Sequence, residues 1–437
     1  MWGIESLRPT RRHFLKHLAG MSALTLTGSH FMSALAKDAP VLKKNGKSLI
    51  ILWMSGGPST IDLWDLKPGA PTGGQFKPIG TSASGVQISE HLPSVAKQMK
   101  NLAIIRSLTT TEGDHMRGTY LMNTGRSPNP IIQFPSIGSM AARILSSKDL
   151  DLPAFISVGG GGGARTGAGF LGMTYAPFTV QNPGQLPENV AAPQGVDDHR
   201  LVRRKELFRS IESDMDTKTK GGDAVKAHND IYAKAFSLSV SDRRNVFQFD
   251  AKDNALITKY GNNNFGKGCL LARKLVEAGA VAVEVDLGGW DNHQQVFNAL
   301  HNTQGTGRAD TLDKGMAALV EDLSDRKMLK DTVIVWMGEF GRTPRINQNT
   351  GRDHFPRVWS VVVGGGSIKG GQVYGSTDAT GEAVKDNPVT TLNLFATIYK
   401  ALGIDPTPET NASIRDNLGR PYYMAGDKPK WIKELVG

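Results

Sequence analysis

Short, continuously apolar runs that alternate with helix-forming stretches limit the possible folds of this chain more than any other feature. From residue 266 onward, the pattern predicts helices over 267–278, 310–326 and 389–402, and strands over 280–286, 332–337 and 358–363. Further strands are predicted over 47–53, 102–105 and 155–158. Apolar strands that alternate with helices indicate a parallel sheet covered on both faces. The sequence therefore predicts the α/β fold class.

The length of 437 residues allows one large α/β domain or two smaller ones. We expect a single domain over 37–437, and the chain shows no internal repeat. Residues 175–265 are polar and helix-prone, and they contain no catalytic pattern. This stretch is predicted to be a helical insertion or cap.

The first 36 residues have the features of an export signal. Thr10–Lys16 contains the twin arginines Arg11 and Arg12, a weakly apolar stretch follows, and Ala34–Ala36 has the form of a cleavage site. An ordinary amphipathic helix is the alternative. We predict a twin-arginine signal peptide that is cleaved after Ala36. The expected partner is the twin-arginine export machinery, and the expected location is the periplasm or the medium outside the cell.

Charge and cysteine content exclude several classes of protein. No later segment reaches about 18 uninterrupted apolar residues, so no membrane span is expected in the mature chain. Cys269 is the only cysteine, which excludes an intramolecular disulfide, and we expect it to be buried in a helix. The net charge of +10 comes from scattered residues without a nucleic-acid-binding motif. It reflects either solubility or an anionic substrate.

Ionisable residues gather in three short tracts beside apolar strand-like runs, namely Trp290–His293, Gly338–Arg342 and Gly351–His354. Ligands of open α/β sheets bind outside the carboxyl ends of the strands. Carboxylates and imidazoles that separate strands bring to that edge can converge on one cation. The predicted metal ligands are Asp291, His293, Glu339, Asp353 and His354.

Each tract also has a simpler interpretation. Asp291 could cap a helix that begins at Asn292, and Glu339 could form a local ion pair with Arg342. Asp353 and His354 could form a self-contained turn with a solvated imidazole. Two further candidates for the site are weaker, Asp114-His115 and His91, whereas His301 is typical of a histidine on a helix surface.

These residue types allow metal-assisted hydrolysis, in which a cation activates water and offsets developing negative charge. Arg342, Arg352 or Arg117 could add positive charge at the transition state. A serine–histidine–acid mechanism is less favoured, because the chain has no G-x-S-x-G sequence. Ser59, in Gly56-Gly57-Pro58-Ser59, is the serine whose surroundings come closest to that motif.

Five motifs together resemble one exported bacterial family. They are Gly56-Gly57-Pro58-Ser59-x-x-Asp62-x-x-Asp65-x-Lys67-Pro68-Gly69, His91-Leu92-Pro93, Trp290-Asp291-Asn292-His293, Met337-Gly338-Glu339-Phe340-Gly341-Arg342-Thr343-Pro344 and Gly351-Arg352-Asp353-His354. The family is the sulfatase-like domain of unknown function 1501, grouped with the alkaline phosphatase superfamily, and the resemblance runs from Ser48 to Ile404. It implies an alkaline-phosphatase-like three-layer sandwich with a central mostly parallel sheet, helices on both faces and metals at the strand ends.

The resemblance also implies roles for single residues, with departures from the superfamily pattern. The acidic ligand expected after the first strand falls near Ser55, and the position of the nucleophile falls on His115. An Asp-His pair of the superfamily falls on Glu339-Phe340, its last histidine falls on His354, and no Cys-x-Pro-x-Arg tract is present. A divalent cation (Zn, Ca, Mg or Mn) held by His115, Asp291, His293, Glu339 and His354 is therefore expected, with water in place of a side-chain nucleophile.

The leading hypothesis is an exported metal-dependent hydrolase that acts on phosphate or sulfate esters of a small molecule or polysaccharide. His115 and Arg342 are the predicted catalytic residues. Ser55, Arg117, Asn292 and Arg352 are predicted to bind the substrate. The alternatives are a non-catalytic binding protein that keeps the fold, which the missing hydroxyl nucleophile favours, and a purely structural role.

Overall fold

The computed structural model describes residues 46–437 except 148–149, 151, 189, 191–195, 197–198, 201, 205, 208–209, 211–237, 240 and 411–413. The predicted signal peptide over 1–36 and a large part of the predicted insertion over 175–265 lie outside the described residues. Within that insertion, the structure describes a short sheet strand near its start and helical turns near its end.

Fifteen strands lie in the described part of the chain. In chain order they are β1 Ser48–Trp53, β2 Pro78–Gly80, β3 Gln87–Ser89, β4 Leu102–Thr109, β5 Phe155–Val158, β6 Phe178–Val180, β7 Ala282–Asp286, β8 Thr332–Met337, β9 Gly341–Arg342, β10 His354–Phe355, β11 Trp359–Gly365, β12 Gln372–Tyr374, β13 Ser376–Thr377, β14 Val384–Asp386 and β15 Val389–Thr390.

The principal α-helices connect and cover these strands. They are α1 Pro93–Gln98, α2 His115–Thr124, α3 Ile137–Leu145, α4 Gly162–Thr166, α5 Asn254–Tyr260, α6 Asn264–Glu277, α7 Val296–Leu300, α8 Arg308–Asp325 and α9 Thr391–Ala401. Short 3-10 turns occupy 60–62, 99–101, 169–171, 173–175, 242–247, 251–253 and 329–331. None of the described helices combines the length and the apolar content that crossing a bilayer would require.

A nine-stranded sheet forms the centre of the molecule, in the order β12-β4-β11-β8-β1-β7-β5-β6, with β15 also paired to β4. β1 is parallel to both β7 and β8, and β5 is parallel to β7 and β6. β11 is antiparallel to both of its neighbours, β4 and β8. The carboxyl ends of β1, β4, β7 and β8 therefore meet at one edge of the sheet.

Helices cover both faces of the sheet because its strands are apolar on both sides. Along β1, Ile50 and Leu52 pack into one core with residues of α1, α6 and α8. The alternate residues Leu49 and Ile51 pack into a second core with residues of α3 and α9. This arrangement confirms the predicted three-layer α/β fold with a mostly parallel sheet.

The direction of β11 differs from the parallel arrangement that the sequence pattern predicts. A parallel return needs a crossover of a dozen or more residues, usually a helix. Between β8 and β11 the chain instead forms the β9–β10 hairpin, in which His354 lies opposite Arg342. The residues just before β11 consequently lie at the same sheet edge as the carboxyl ends of the parallel strands.

Candidate metal centre

Four separate segments bring ionisable side chains to this edge of the sheet. Asp291 and His293 follow β7, Glu339 follows β8, and His354 lies in β10. His115 is the first residue of α2, whose N-terminus is capped by Asp114 through bonds from the amides of Met116 and Arg117, both at 3.0 Å. Five of the predicted site residues thus lie next to one another, although more than 200 positions separate His115 from Glu339.

Each of three imidazoles uses its Nδ1 atom to bond an oxygen. His115 Nδ1 lies 2.8 Å from Glu339 Oε1, and His293 Nδ1 lies 2.7 Å from Asp353 Oδ1. His354 Nδ1 lies 2.8 Å from the carbonyl oxygen of Gly113. Since carboxylate and carbonyl oxygens are acceptors, each Nδ1 donates its proton to them, and in a neutral ring Nε2 keeps its lone pair.

The three Nε2 atoms all face the carboxylate of Asp291. Nε2 of His293 and of His354 lie 3.0 and 3.3 Å from Asp291 Oδ1, and Nε2 of His115 lies 3.4 Å from Asp291 Oδ2. His115 Nε2 is buried and has no hydrogen-bond partner among the described residues. His293 Nε2 lies 3.1 Å from His354 Nε2, so two lone pairs face each other unless a proton or a cation lies between them.

His115, Asp291 and His354 each offer one ligand atom, and these three atoms lie within 4.8 Å of one another. A group of this size can surround a single ion. The Nδ1 hydrogen bonds of the two imidazoles also match those of protein metal sites, where a ligating histidine donates its other ring N–H to a carboxylate or a carbonyl. The donor set of imidazole nitrogens and one carboxylate therefore fits a divalent metal ion.

The charges around the cluster favour a cation as well. Asp291, Glu339 and Asp353 are three carboxylates, and Arg342 is the single guanidinium that bonds to this group within the described residues. With neutral imidazoles, two negative charges are left uncompensated. Glu339 is only 2% exposed, and its Oε2 is buried without a hydrogen-bond partner in the described part of the chain. Buried charge of this kind is costly unless it is balanced.

The pKa shifts follow from these contacts. Burial alone would raise the pKa of Asp291, but the hydrogen bond and charge of Arg342, helped by His354 and His115, lower it to about 2. The hydrogen bond to Glu339 raises the pKa of His115 despite the opposing effect of burial. The hydrogen bond from His293 lowers the pKa of Asp353. Asp291 is therefore a permanently ionised group at neutral pH.

Arg342, predicted to be catalytic, is buried at 3% exposure beneath the cluster. Its Nε donates to the carbonyl of Gly57 at 2.7 Å, and its Nη2 donates to the carbonyl of Gly56 and to Asp291 Oδ1. Its Nη1 lies 3.3 Å from His293 Nε2. The donors of Arg342 are thus occupied by the protein, and Arg342 holds Asp291 and His293 in position.

Two glycines permit the close approach of the loops that hold the cluster. Gly56 has a φ of +112°, and a Cβ at this position would lie 2.6 Å from the backbone nitrogen of Asp291. The amide of Gly56 donates to Glu339 Oε1 at 2.8 Å. A Cβ at Gly351 would lie 1.9 Å from the carbonyl oxygen of His293. Any larger side chain at these two positions would displace Asp291 or His293.

Glu339 and Asp353, predicted as ligands, lie behind His115 and His293 and orient their rings. Both simpler interpretations of these residues are wrong. Within the described residues no ion pair joins Glu339 to Arg342, and Asp353 bonds to His293 rather than closing its own turn. Asp291 caps no helix either, since the helix that follows it, α7, begins after Gln295.

The structure places two predicted substrate-binding arginines outside the cluster. Arg352 is fully buried, and its Nε and Nη2 donate to the two carboxylate oxygens of Asp62, both at 2.8 Å. Arg117 is exposed and forms a two-point pair with Glu112 at 2.7 and 2.9 Å. Arg352 therefore stabilises the fold, and Arg117 is held on the surface of α2.

Ser55 and Asn292, also predicted to bind substrate, have partners of their own. Ser55 Oγ donates to Asp286, and the side chain of Asn292 donates to the carbonyl of Gly289 at 3.3 Å. The weaker candidate His91 stacks on His301, with ring centroids 3.8 Å apart. No sequence motif indicates Asn347, whose side chain donates both to the carbonyl of His293 at 3.0 Å and to Asp353 at 3.2 Å.

Among solved structures, the chain is similar to Ps i-CgsB (TM-score 0.39, 11% identity, 87% of this chain and 76% of that chain), to the sulfatase PsFucS1 from Pseudoalteromonas sp. (0.36, 12%, 86% and 70%) and to an alkaline phosphatase superfamily protein from Vibrio parahaemolyticus (0.34, 12%, 88% and 70%).

No curated protein matches the chain. A family model described as "Protein of unknown function (DUF1501)" matches residues 46–436, which confirms the resemblance that the motifs indicate. The chain belongs to the DUF1501 family.

Proposed function

We propose that this protein is a metal-dependent hydrolase of phosphate or sulfate esters. The observation that carries the proposal is the convergence of three imidazole Nε2 atoms on Asp291, each ring being held through its Nδ1. When bound, a divalent cation supplies Lewis-acid activation of water and of an ester oxygen. The net negative charge of the surrounding carboxylates supports a cation at this place.

In this proposal His115, Asp291 and His354 hold the cation, because their ligand atoms lie close enough to share one ion. Three protein ligands leave a coordination position for the substrate or for water, as in catalytic zinc sites. Zinc is the metal that this set of two imidazoles and one carboxylate suits best. Glu339 fixes the ring of His115, and Arg342 fixes the carboxylate of Asp291.

We assign the proton-accepting role to His293. Its Nε2 lies beside the cluster, 3.0 Å from Asp291 Oδ1, and its Nδ1 is held by Asp353 in the manner of a histidine that serves as a general base. Within the described residues, no serine, threonine or cysteine side chain bonds to the imidazoles or to the carboxylate of Asp291. Attack by water rather than by a side chain is therefore the proposed route.

Two measurements on three variants test this assignment. Metal content by mass spectrometry is expected to be about one divalent ion per chain, to be lost in His115→Ala and His354→Ala, and to be kept in His293→Ala. Hydrolysis of 4-nitrophenyl phosphate and sulfate should fall roughly 10²–10⁴-fold in His293→Ala. His301→Ala is the matched control, since His301 also bonds a carboxylate through Nδ1, that of Asp310 at 2.7 Å.

The outcomes separate the hydrolase from its alternatives. Stoichiometric metal without turnover of either ester would favour a binding protein. Neither metal nor turnover would exclude both the metal site and the hydrolase. A His293→Ala variant that loses its metal would show that His293 is a ligand and not the base.

We further propose that the protein is exported by the twin-arginine route and acts in the periplasm or outside the cell. The support is the order of Arg11-Arg12, the apolar stretch and Ala34–Ala36 in the sequence. Mass spectrometry of the exported protein should find an N-terminus at Lys37. An uncleaved chain that stays in the cytoplasm would contradict the proposal.

A further inference from the structure

A cavity of about 520 Å³ opens beside the metal centre. It is lined by Thr343, by the residues 345–349 and by Asp353, the residue whose Oδ1 lies 2.7 Å from His293 Nδ1. The cavity therefore adjoins the cluster at Asp353, the carboxylate that holds the ring of His293.

The side chains that line the cavity are polar, and several of them have no partner. Arg345, Gln348 and Asn349 are exposed, and their side chains make no hydrogen bond to any residue that the structure describes. Ile346 is the single apolar side chain in the lining, and none of the lining residues is aromatic. The cavity thus offers amide and guanidinium groups to a ligand, without a surface on which an aryl ring could stack.

Asp353 adds acceptor oxygens to the lining of the cavity. Its carboxylate is about half exposed and lies in the lining together with the guanidinium of Arg345. The same oxygens are good acceptors for hydroxyl groups.

We propose that the cavity receives the organic part of the ester and that this part is a hydroxyl-rich, sugar-like group. Amides, a guanidinium and a carboxylate together can donate to and accept from several neighbouring hydroxyls. Ligand sites of about 300–1,000 Å³ are usual, so 520 Å³ has room for a sugar unit or two. The inference rests on the proposed function only for the position of the ester group.

The test compares sugar esters with aryl esters on the metal-loaded protein. Glucose 6-phosphate and glucose 6-sulfate are compared with 4-nitrophenyl phosphate and sulfate, both for binding by calorimetry and for turnover. The double variant Gln348→Ala/Asn349→Ala removes two free amides from the lining. The control Gln98→Ala/Asn101→Ala removes two amides just before β4, at the opposite edge of the sheet.

The expected result is that the sugar esters bind more tightly than the aryl esters, and that the lining variant weakens only the sugar esters, by about tenfold. Aryl esters that bind as tightly as sugar esters, a lining variant that weakens both equally, or no binding of any ester would overturn the inference. Binding of sugar esters without hydrolysis would support the cavity and contradict the hydrolase, so the two failures are distinguishable.

Discussion

At the level of single side chains, the partner of Nδ1 decides what each histidine of the cluster can do. Glu339 holds His115, Asp353 holds His293, and a backbone carbonyl holds His354. Such partners fix the orientation of the ring and raise its basicity as a ligand. The residues that orient the cluster should therefore affect metal affinity almost as much as the ligands do.

Glu339→Gln tests this effect without changing the size of the side chain. The neutral amide loses the charge that holds His115 Nδ1–H, so affinity for zinc should fall about 10–100-fold in a chelator-competition titration. Glu321→Gln is the control, because Glu321 pairs with Lys259 on the surface of the helical layer. An affinity of Glu339→Gln within twofold of the unmodified protein would contradict the role assigned to Glu339.

Arg352→Met tests the buried pair that supports the site loop. Removing one partner of a buried ion pair leaves Asp62 uncompensated and should cost about 3–5 kcal/mol of unfolding free energy, measured with urea. Arg420→Met removes the exposed partner of Asp416 and should change stability little. Equal effects of the two substitutions would show that the Asp62–Arg352 pair does not stabilise the fold.

Sequence reasoning could name the polar residues of the site but not their separate roles. Asp291, His293, Glu339 and His354 are recognisable because they flank apolar strands. In the sequence Arg352 is equally suited to bind an anion, yet its role depends on its pairing with Asp62, 290 positions away. Which of two carboxylates faces a metal and which lies behind an imidazole depends on such contacts, and no local pattern encodes them.

At the level of elements, the reversed direction of β11 brings His354 to the cluster. The stretch between β8 and β11 is rich in Gly, Pro and Asn and lacks a helical period, so no crossover helix forms there. The strand positions were predictable from apolar runs. The direction of β11 was not, because an apolar run reads the same in a parallel and in an antiparallel strand.

Gly56→Ala tests how the turn after β1 supports Asp291. The new methyl group would meet the backbone of Asp291, so both metal affinity and stability should fall. Gly69→Ala is the matched control, because Gly69 also has a positive φ of +79° but no atom within 4 Å of a Cβ. The control should lose about 1 kcal/mol of stability and keep its metal. Equal loss of metal in both variants would refute the role of the turn.

Asp322 joins α5, α6 and α8 and should make stability depend on pH. Burial would raise the pKa of Asp322, but Arg326 and Arg273 outweigh it and lower the pKa. A depressed pKa contributes stability above the unfolded value of about 3.9, and this contribution is lost as the pH falls through the folded value. In urea unfolding between pH 3 and 7, the unfolding free energy of Asp322→Asn should fall less steeply toward acid pH than that of the unmodified protein. An equal slope in both proteins would contradict this.

At the level of the whole molecule, the fold was more predictable than the site. Alternating apolar strands and helices, together with the DUF1501 motifs, were sufficient for the three-layer α/β fold over 46–436. The cavity beside Asp353 could not be predicted, because its lining residues read as an ordinary polar loop. The predicted signal peptide and the insertion over 175–265 remain predictions.

The central claim is that one divalent ion is held jointly by side chains from α2, the loop after β7 and β10. The most direct measurement is the anomalous scattering of crystals of the protein grown with zinc. We predict one strong peak about 2.0–2.3 Å from Nε2 of His115 and His354 and from a carboxylate oxygen of Asp291. A zinc-containing crystal without a peak at these three atoms, with Asp291 bonded only to Arg342 and the imidazoles, would contradict the account.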